Sequence, residues 1–312
     1  MKMHSIICIL VIFGLSQVTM GIIAPDAGTF FNSTIKGNLT KVTWAHAVND
    51  ALKLNLTLAD ESIMMVEADV VLGTVDDSMD VIPIMAHPPK NTSNLSLEDF
   101  LTAIVANGKR GVKLDFKTIE AFDVSLDILA ENRPNMTFPV WLNADILSGP
   151  VDSEATPVDA TQFIEKAKKA FPESTLSVGW TTRYGILPLI SSGNYTEAQI
   201  DEMIKTVSNV SQPVTYPVRA GLAVNDISVW SKLLNNTADK NATLTVWSGA
   251  GDPVDINGLI KLIQEIGYDR VYVDVPESIR KEIDGSKASS TMCSFMLLSS
   301  VILANVLISQ IF

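Results

Sequence analysis

From Lys41 to about Ile283, short apolar runs alternate with longer stretches of helical spacing. Eight runs read as strands: Val42–His46, Ile63–Val70, Val112–Phe116, Phe138–Asn143, Leu176–Trp180, Val214–Arg219, Leu244–Trp247 and Val271–Val275. Helix signals fall between them. Ser96 caps a periodic run from Leu97 to Val105, and Thr196-Glu197-Ala198-Gln199 is a capping box ahead of Ile200, Met203, Ile204 and Val207. Ile256 to Ile266 has helical spacing, and Gly267 is placed to end it. Eight strands alternating with helices predict an α/β fold, a (β/α)8 TIM barrel in one domain spanning residues 41–283. The alternative, a doubly wound open sheet, usually has fewer strands, and no glycine-rich phosphate loop follows the first run. The eight signals all lie inside Lys41–Ile283, so a barrel is expected to fold from that span alone. The leading residues 22–40 are polar and read as a flexible arm or cover.

The ends change the picture of where the chain resides. Lys2, the apolar run Ile6 to Leu15 and small residues up to Gly21 have the form of a secretory signal peptide over residues 1–21. Met292 to Phe312 carries no charge, and no Lys or Arg follows Lys287. A membrane span is one reading of that tail. The small-residue run 284–291 before a terminal apolar tail instead matches a GPI-attachment signal, with Ser286 the first choice of acceptor beside Gly285 and Ser289. The expectation is an extracellular, GPI-anchored cell-surface protein. Ten Asn-x-Ser/Thr sequons, at Asn32, Asn38, Asn55, Asn91, Asn94, Asn135, Asn194, Asn209, Asn235 and Asn241, predict glycans on exposed loops. The two cysteines, Cys8 and Cys293, fall in the terminal segments, so the barrel is expected to hold without a disulfide. A net charge of −12 argues against a nucleic-acid partner, which needs a basic patch.

The chemistry gathers at strand ends, where a barrel of this kind builds its active site. In Met64-Met65-Val66-Glu67-Ala68-Asp69-Val70-Val71, alternation turns Glu67 and Asp69 to one face of an apolar strand. Paired carboxylates there either face water or hold a hard divalent cation that cancels their repulsion. In Gly111-Val112-Lys113-Leu114-Asp115-Phe116-Lys117, Lys113, Asp115 and Lys117 likewise share a face. The fourth run ends in Asn143 and Asp145, the sixth in Arg219, and the eighth holds Asp274. Outside the leader, which holds His4, the chain has two histidines. His46 ends the first run, with Asn49 close behind, and His87 ends an added extended stretch, Val81 to Ala86. Two imidazoles can serve as general base and general acid near neutral pH. Three carboxylates, two lysines and that proton-transfer pair are the parts that phosphoryl transfer needs. Trp44, Trp141, Trp180 and Trp247 lie on or beside strands, either lining an apolar pocket or packing the core. The loop Ser148 to Thr161 is a candidate cover, and Pro88 to Leu95 is expected to face solvent.

The order His46…Glu67-x-Asp69…His87…Asp115-x-Lys117 resembles the phosphatidylinositol-phospholipase-C-like phosphodiesterases, among them the glycerophosphodiester phosphodiesterases and venom-type phospholipases D. The segments Val42 to Asn49, Gly111 to Lys117, Val140 to Leu147 and Leu176 to Thr181 more specifically resemble the menorin family of secreted or membrane-attached animal proteins. The enzyme resemblance implies one Mg2+ or Ca2+ on Glu67, Asp69 and Asp115, proton transfer by His46 and His87, and a phosphate contact from Lys117. Lys113, Asn143 and Asn49 are expected to contact substrate by position. The first motif departs from the enzymes: they follow the histidine with Arg-Gly, and this chain has Ala47-Val48. The implied activity is a metal-dependent phosphodiesterase acting on a phospholipid or glycerophosphodiester. The menorin resemblance also implies the alternative of a catalytically silent surface module with extracellular adhesion-protein partners, in neurite or dendrite patterning.

Overall fold

A computed structural model describes residues 23–185 and 189–285 of the chain. The expected signal peptide, the expected attachment residue Ser286 and the apolar tail lie outside the described residues, as do Cys8 and Cys293. The strands are β1 Trp44–Ala45, β2 Met65–Val75, β3 Ile82–Met85, β4 Thr92–Ser93, β5 Gly111–Phe116, β6 Val140–Leu147, β7 Thr175–Trp180, β8 Val214–Arg219, β9 Thr243–Trp247 and β10 Val271–Asp274. The helices are α1 Ala27–Phe30, α2 Asn32–Ile35, α3 Ala51–Ala59, α4 Leu97–Asn107, α5 Ile119–Asn132, α6 Ala160–Ala170, α7 Glu197–Thr206, α8 Ala220–Ala223, α9 Ser228–Asn236 and α10 Ile256–Ile266. Eight strands run parallel in the order β1-β2-β5-β6-β7-β8-β9-β10, with helices between them, as a nearly closed barrel.

Among the described residues β1 and β10 share no ladder, and side chains bridge that seam. His46 Nδ1 lies 2.9 Å from Asp274 Oδ2. The Arg280 guanidinium donates to the carbonyls of Thr40 at 2.6 Å and Val273 at 2.5 Å. Six helices that follow barrel strands or their loops begin at a side-chain cap: Asp50, Ser96, Thr118, Asp159, Thr196 and Asp255. Each such cap satisfies an orphan N–H and contributes about 1 kcal/mol. Thr196 and Gln199 form both bonds of the expected capping box.

β2 runs five residues past its expected end at Val70, because the expected extended stretch is a true strand. β3 folds back antiparallel on it, pairing Val70 with Met85 and Gly73 with Ile82. His87 is thereby brought back toward the barrel mouth. β6 likewise continues to Leu147, carrying Asp145 on the same inward face as Asn143.

The base of the barrel departs most from the sequence reading. Trp44, Trp141 and Tyr272 point inward and meet edge to face, with ring centroids 5.4 Å apart for Trp44 and Trp141 and 4.9 Å for Trp141 and Tyr272. Gly111 leaves them room, since a Cβ there would stand 2.3 Å from the Met65 sulfur. Beneath this layer lie Ala27, Phe31, Ile35 and Leu39, all buried with Val42 and Met65 in one apolar cluster. The residues expected to form a flexible arm are thus a folded plug, held also by Ala24 N–H to Met136 C=O and Leu39 N–H to Tyr268 C=O, both 2.8 Å. The sequence reading missed it because α1 and α2 have only four residues each, too short to show a period. Trp180 packs outside the barrel against Tyr195 and Trp230, so three of the four tryptophans serve the core. Nine sequon asparagines are exposed and Asn38 is half-buried.

Candidate active site

Strand register assembles the site. It sets Glu67 beside Lys113, Asp69 beside Asp115, Asp115 beside Asn143 and Asn143 beside Ser177. All point inward, so the middle of the barrel is polar where its base is aromatic. Glu67, Asp69 and Asp115 each offer an oxygen, and these oxygens lie within 4.8 Å of one another.

One oxygen of each carboxylate is held by a donor. Ala47 N–H donates to Glu67 Oε2 at 2.6 Å. Asn49 Nδ2 donates to Asp69 Oδ2 at 2.7 Å, and Asn143 Nδ2 to Asp115 Oδ1 at 2.6 Å. Asn49 Oδ1 also accepts from Asp69 N–H, and Asn143 Oδ1 accepts from the Ser177 hydroxyl. Both asparagines, expected to touch substrate, spend their side chains on the carboxylates: they are positioning groups. Such outer partners aim a ligand's remaining oxygen at one point. Ala47 reaches Glu67 at φ +53, a left-handed conformation that costs a non-glycine residue about 1 kcal/mol or more. The dipeptide after His46, which departs from the enzymes' Arg-Gly, therefore serves the acidic site through its backbone.

The two lysines differ. Lys117 Nζ lies 2.6 Å from both Asp69 Oδ1 and Asp115 Oδ2. Lys113 is 3 % exposed, and among the described residues no carboxylate comes within ion-pair distance of it. Its charge nevertheless acts on His46, Glu67, Asp115, Asp145 and Asp274, which sit on or beside five strands. Lys113 shares the inward face of β5 with Asp115, so its side chain points into the barrel. Burial pushes the Glu67 carboxyl up, with His46 opposing. Burial also acts upward on Asp115, but Lys117 and Lys113 outweigh it and hold the group below its usual range.

The two histidines are dressed in opposite ways. His46 Nδ1 faces Asp274 at 2.9 Å and Glu67 Oε2 at 3.5 Å, and Trp247 stacks on the ring at 14°. The Glu67 charge, against burial and with help from Asp274, pushes its pKa up to about 9. His87 is exposed, as His46 is, but its Nδ1 lies 2.7 Å from the Pro88 carbonyl instead of a carboxylate. A carbonyl only accepts, so Nδ1 carries the proton and Nε2 is the free nitrogen of the neutral ring. His87 and Asn49 line one recess of about 480 Å³ with Asp50, Met85, Lys90 and Asn94.

Residues 38–280 match the family described as the menorin N-terminal domain. The chain belongs to the menorin family. Protein FAM151B of Homo sapiens is 35 % identical to it over 237 residues, 76 % of this chain and 83 % of that one. Among solved structures, a glycerophosphodiester phosphodiesterase from Parabacteroides distasonis is similar at a TM-score of 0.43 and 11 % identity, covering 80 % of this chain and 99 % of that one.

Around the triad, the menorin barrel adds residues that the sequence reading left without a role. Asp145 lies two residues past Asn143 on one strand face, and burial, then the Asp115 charge, push its pKa up to about 7. Period-two alternation from Asn143 is the signal that finds it. Arg219 forms a bidentate pair with Asp252 at 2.8 and 2.9 Å and lies 5.0 Å from the Trp247 ring. It braces the tryptophan that stacks on His46, as a structural ion pair, and Asp274 instead serves His46. The loop 148–159 ties to the end of β7 through Gly149 N–H to Thr181 Oγ1 at 3.3 Å.

The His46 environment gives this menorin a pH signature. Its folded pKa, about 9, stands above the ordinary 6.5. Its contribution to stability is therefore full below about pH 6.5 and is lost as pH rises through about 9. With divalent cations chelated, the midpoint of thermal unfolding of wild type should exceed that of His46→Gln at pH 6, and the gap should close by about pH 10. A gap that is flat over that range would show the imidazolium uncoupled from Glu67 and Asp274.

Proposed function

We propose that this protein is an extracellular metal-dependent phosphodiesterase acting on a phospholipid or glycerophosphodiester, with one divalent cation, Mg2+ or Ca2+, as cofactor. The observation that carries the reading is the acidic triad: three buried or half-buried carboxylates each bring an oxygen within 4.8 Å of the others, and a donor pins one oxygen of each. The donor set fits a hard cation, which takes carboxylate oxygens of this kind. Glu67, Asp69 and Asp115 would hold it. When bound, the cation polarises a phosphoryl oxygen and neutralises charge that builds there.

The chain's own groups supply the rest. His87, with Nε2 free, takes the proton from the entering oxygen. His46, held as imidazolium by Glu67 and Asp274, gives a proton to the leaving oxygen. Lys113, a buried ammonium with no carboxylate at ion-pair distance among the described residues, shares the phosphate charge inside the barrel. A neighbouring hydroxyl of the substrate suits the entering role, giving a cyclic phosphate. The chain is proposed to act at the cell surface, GPI-anchored at Ser286 and glycosylated at its exposed sequons. Among the described residues no helix is long and apolar enough to cross a membrane.

One observation favours a second reading, a silent barrel that binds extracellular adhesion proteins: Lys117 bridges two of the three carboxylates and offsets part of their charge. The deciding experiment offers lysophospholipids and glycerophosphodiesters to the purified ectodomain with and without Mg2+ or Ca2+. Cation-dependent cleavage is expected, weakened in Asp69→Asn and partly recovered at high cation. If no diester is cleaved, and His46→Ala and His87→Ala rescue the biological role as well as wild type, the adhesion reading replaces the enzyme.

A further inference from the structure

Lys117 stands where the cation would have to bind. Asp69 and Asp115 each have one oxygen pinned by an asparagine amide, and both remaining oxygens take the Lys117 ammonium at 2.6 Å. Carboxylate oxygens approach a Mg2+ or Ca2+ ion at about 2.0–2.6 Å, so the ammonium and the ion compete for the same two oxygens. Adjacent like charges repel in a partly desolvated site, which disfavours holding both at these contact distances. The backbone at this position is fixed, since Lys117 N–H donates to the Val70 carbonyl at 3.1 Å. Only the four-carbon side chain is free to move, and it is 22 % exposed, toward the open mouth.

We propose that Lys117 is an internal counter-ion that exchanges with the divalent cation: it bridges Asp69 and Asp115 and offsets part of their charge when no cation is bound, and is expelled toward the substrate side when the cation binds. The exchange rests on the metal reading above. It accounts for two features together. Buried neighbouring carboxylates stay compatible with folding in the absence of an ion, and the ammonium expelled by the ion is delivered to where a phosphate oxyanion enters. The lysine thus sets cation affinity as well as contacting substrate.

Isothermal calorimetry with MgCl2 and CaCl2 on wild type, Lys117→Met and Lys113→Met tests it. Methionine keeps the length and apolar stem and removes the competing charge. Lys117→Met should bind the cation at least tenfold more tightly than wild type and should gain more in thermal midpoint from the cation than wild type does. The same exchange is read in the unsubstituted protein from the Lys117 Nζ ammonium resonance, which should shift on cation addition to that of an ammonium free of its carboxylates. Cation binding in wild type and Lys117→Met with equal affinity, or an unmoved Nζ resonance in the loaded protein, overturns the exchange and leaves the metal site standing. Tightening in Lys113→Met equal to that in Lys117→Met also overturns it, because a general charge effect would then suffice. Failure of every protein to bind either cation overturns the metal reading and the exchange with it.

Discussion

Replacing His87 with alanine is expected to slow phosphodiester cleavage by at least about a hundredfold, the usual scale for a lost acid or base, while leaving cation affinity within about twofold. The separation of the two effects comes from geometry. His87 follows β3 by two residues, and among the described residues its side chain bonds the carbonyl of Pro88 and no carboxylate of the triad. His46→Ala should slow turnover on the same scale but also alter cation affinity, because His46 lies 3.5 Å from Glu67 Oε2 and 2.9 Å from Asp274 Oδ2. Measuring kcat and cation Kd on the same preparations reads both. A His87→Ala variant that keeps kcat within tenfold of wild type would take the base away from His87. A His46→Ala variant with unchanged cation affinity would mean that the Glu67 contact carries no weight.

Much of this site is legible from the sequence because parallel strands convert a one-dimensional rule into a three-dimensional one. Alternation told which residues share a face, so Glu67 with Asp69, and Lys113 with Asp115, were placed together before any register was known. The barrel followed from the count of apolar runs, and the menorin family followed from the segments around them. Pairings between distant segments were not legible. Asp274 is 228 residues from His46, and Asp252 is 33 residues from Arg219 in a loop with no pattern. The two asparagines show the limit most clearly. Their positions at strand ends marked Asn49 and Asn143 for the site, but only the register showed that Asp69 and Asp115 consume their donors. Nor does a motif such as Asp115-x-Lys117 say whether the lysine faces a substrate or its own neighbour. The ammonium's two short contacts to Asp69 and Asp115 answer that.

Cutting the chain back to Lys41–Ile283 is expected to destabilise the barrel severely, contrary to what the strand count alone suggests. The lost residues include Ala24, Ala27, Phe31, Ile35 and Leu39, all buried. Full burial of a Phe, Ile or Leu side chain is worth about 1.5–3 kcal/mol each, so these three alone supply roughly 5 kcal/mol or more. A domain of this class is stable by only about 5–15 kcal/mol in total. The cut also bares the aromatic layer of Trp44, Trp141 and Tyr272 to water and removes Thr40, one of the carbonyl acceptors through which Arg280 closes the seam between β1 and β10. At roughly 2–4 °C per kcal/mol for a domain of this size, the thermal midpoint should fall by at least about 10 °C relative to a chain that starts at Ile23. Trp141→Ala in the untruncated chain attacks the same layer from above and should cost about 3–5 kcal/mol. The two losses should be strongly non-additive when combined, since both open one cluster. A truncated chain that melts within a few degrees of the longer one would mean that the plug is docked on a base already stable without it.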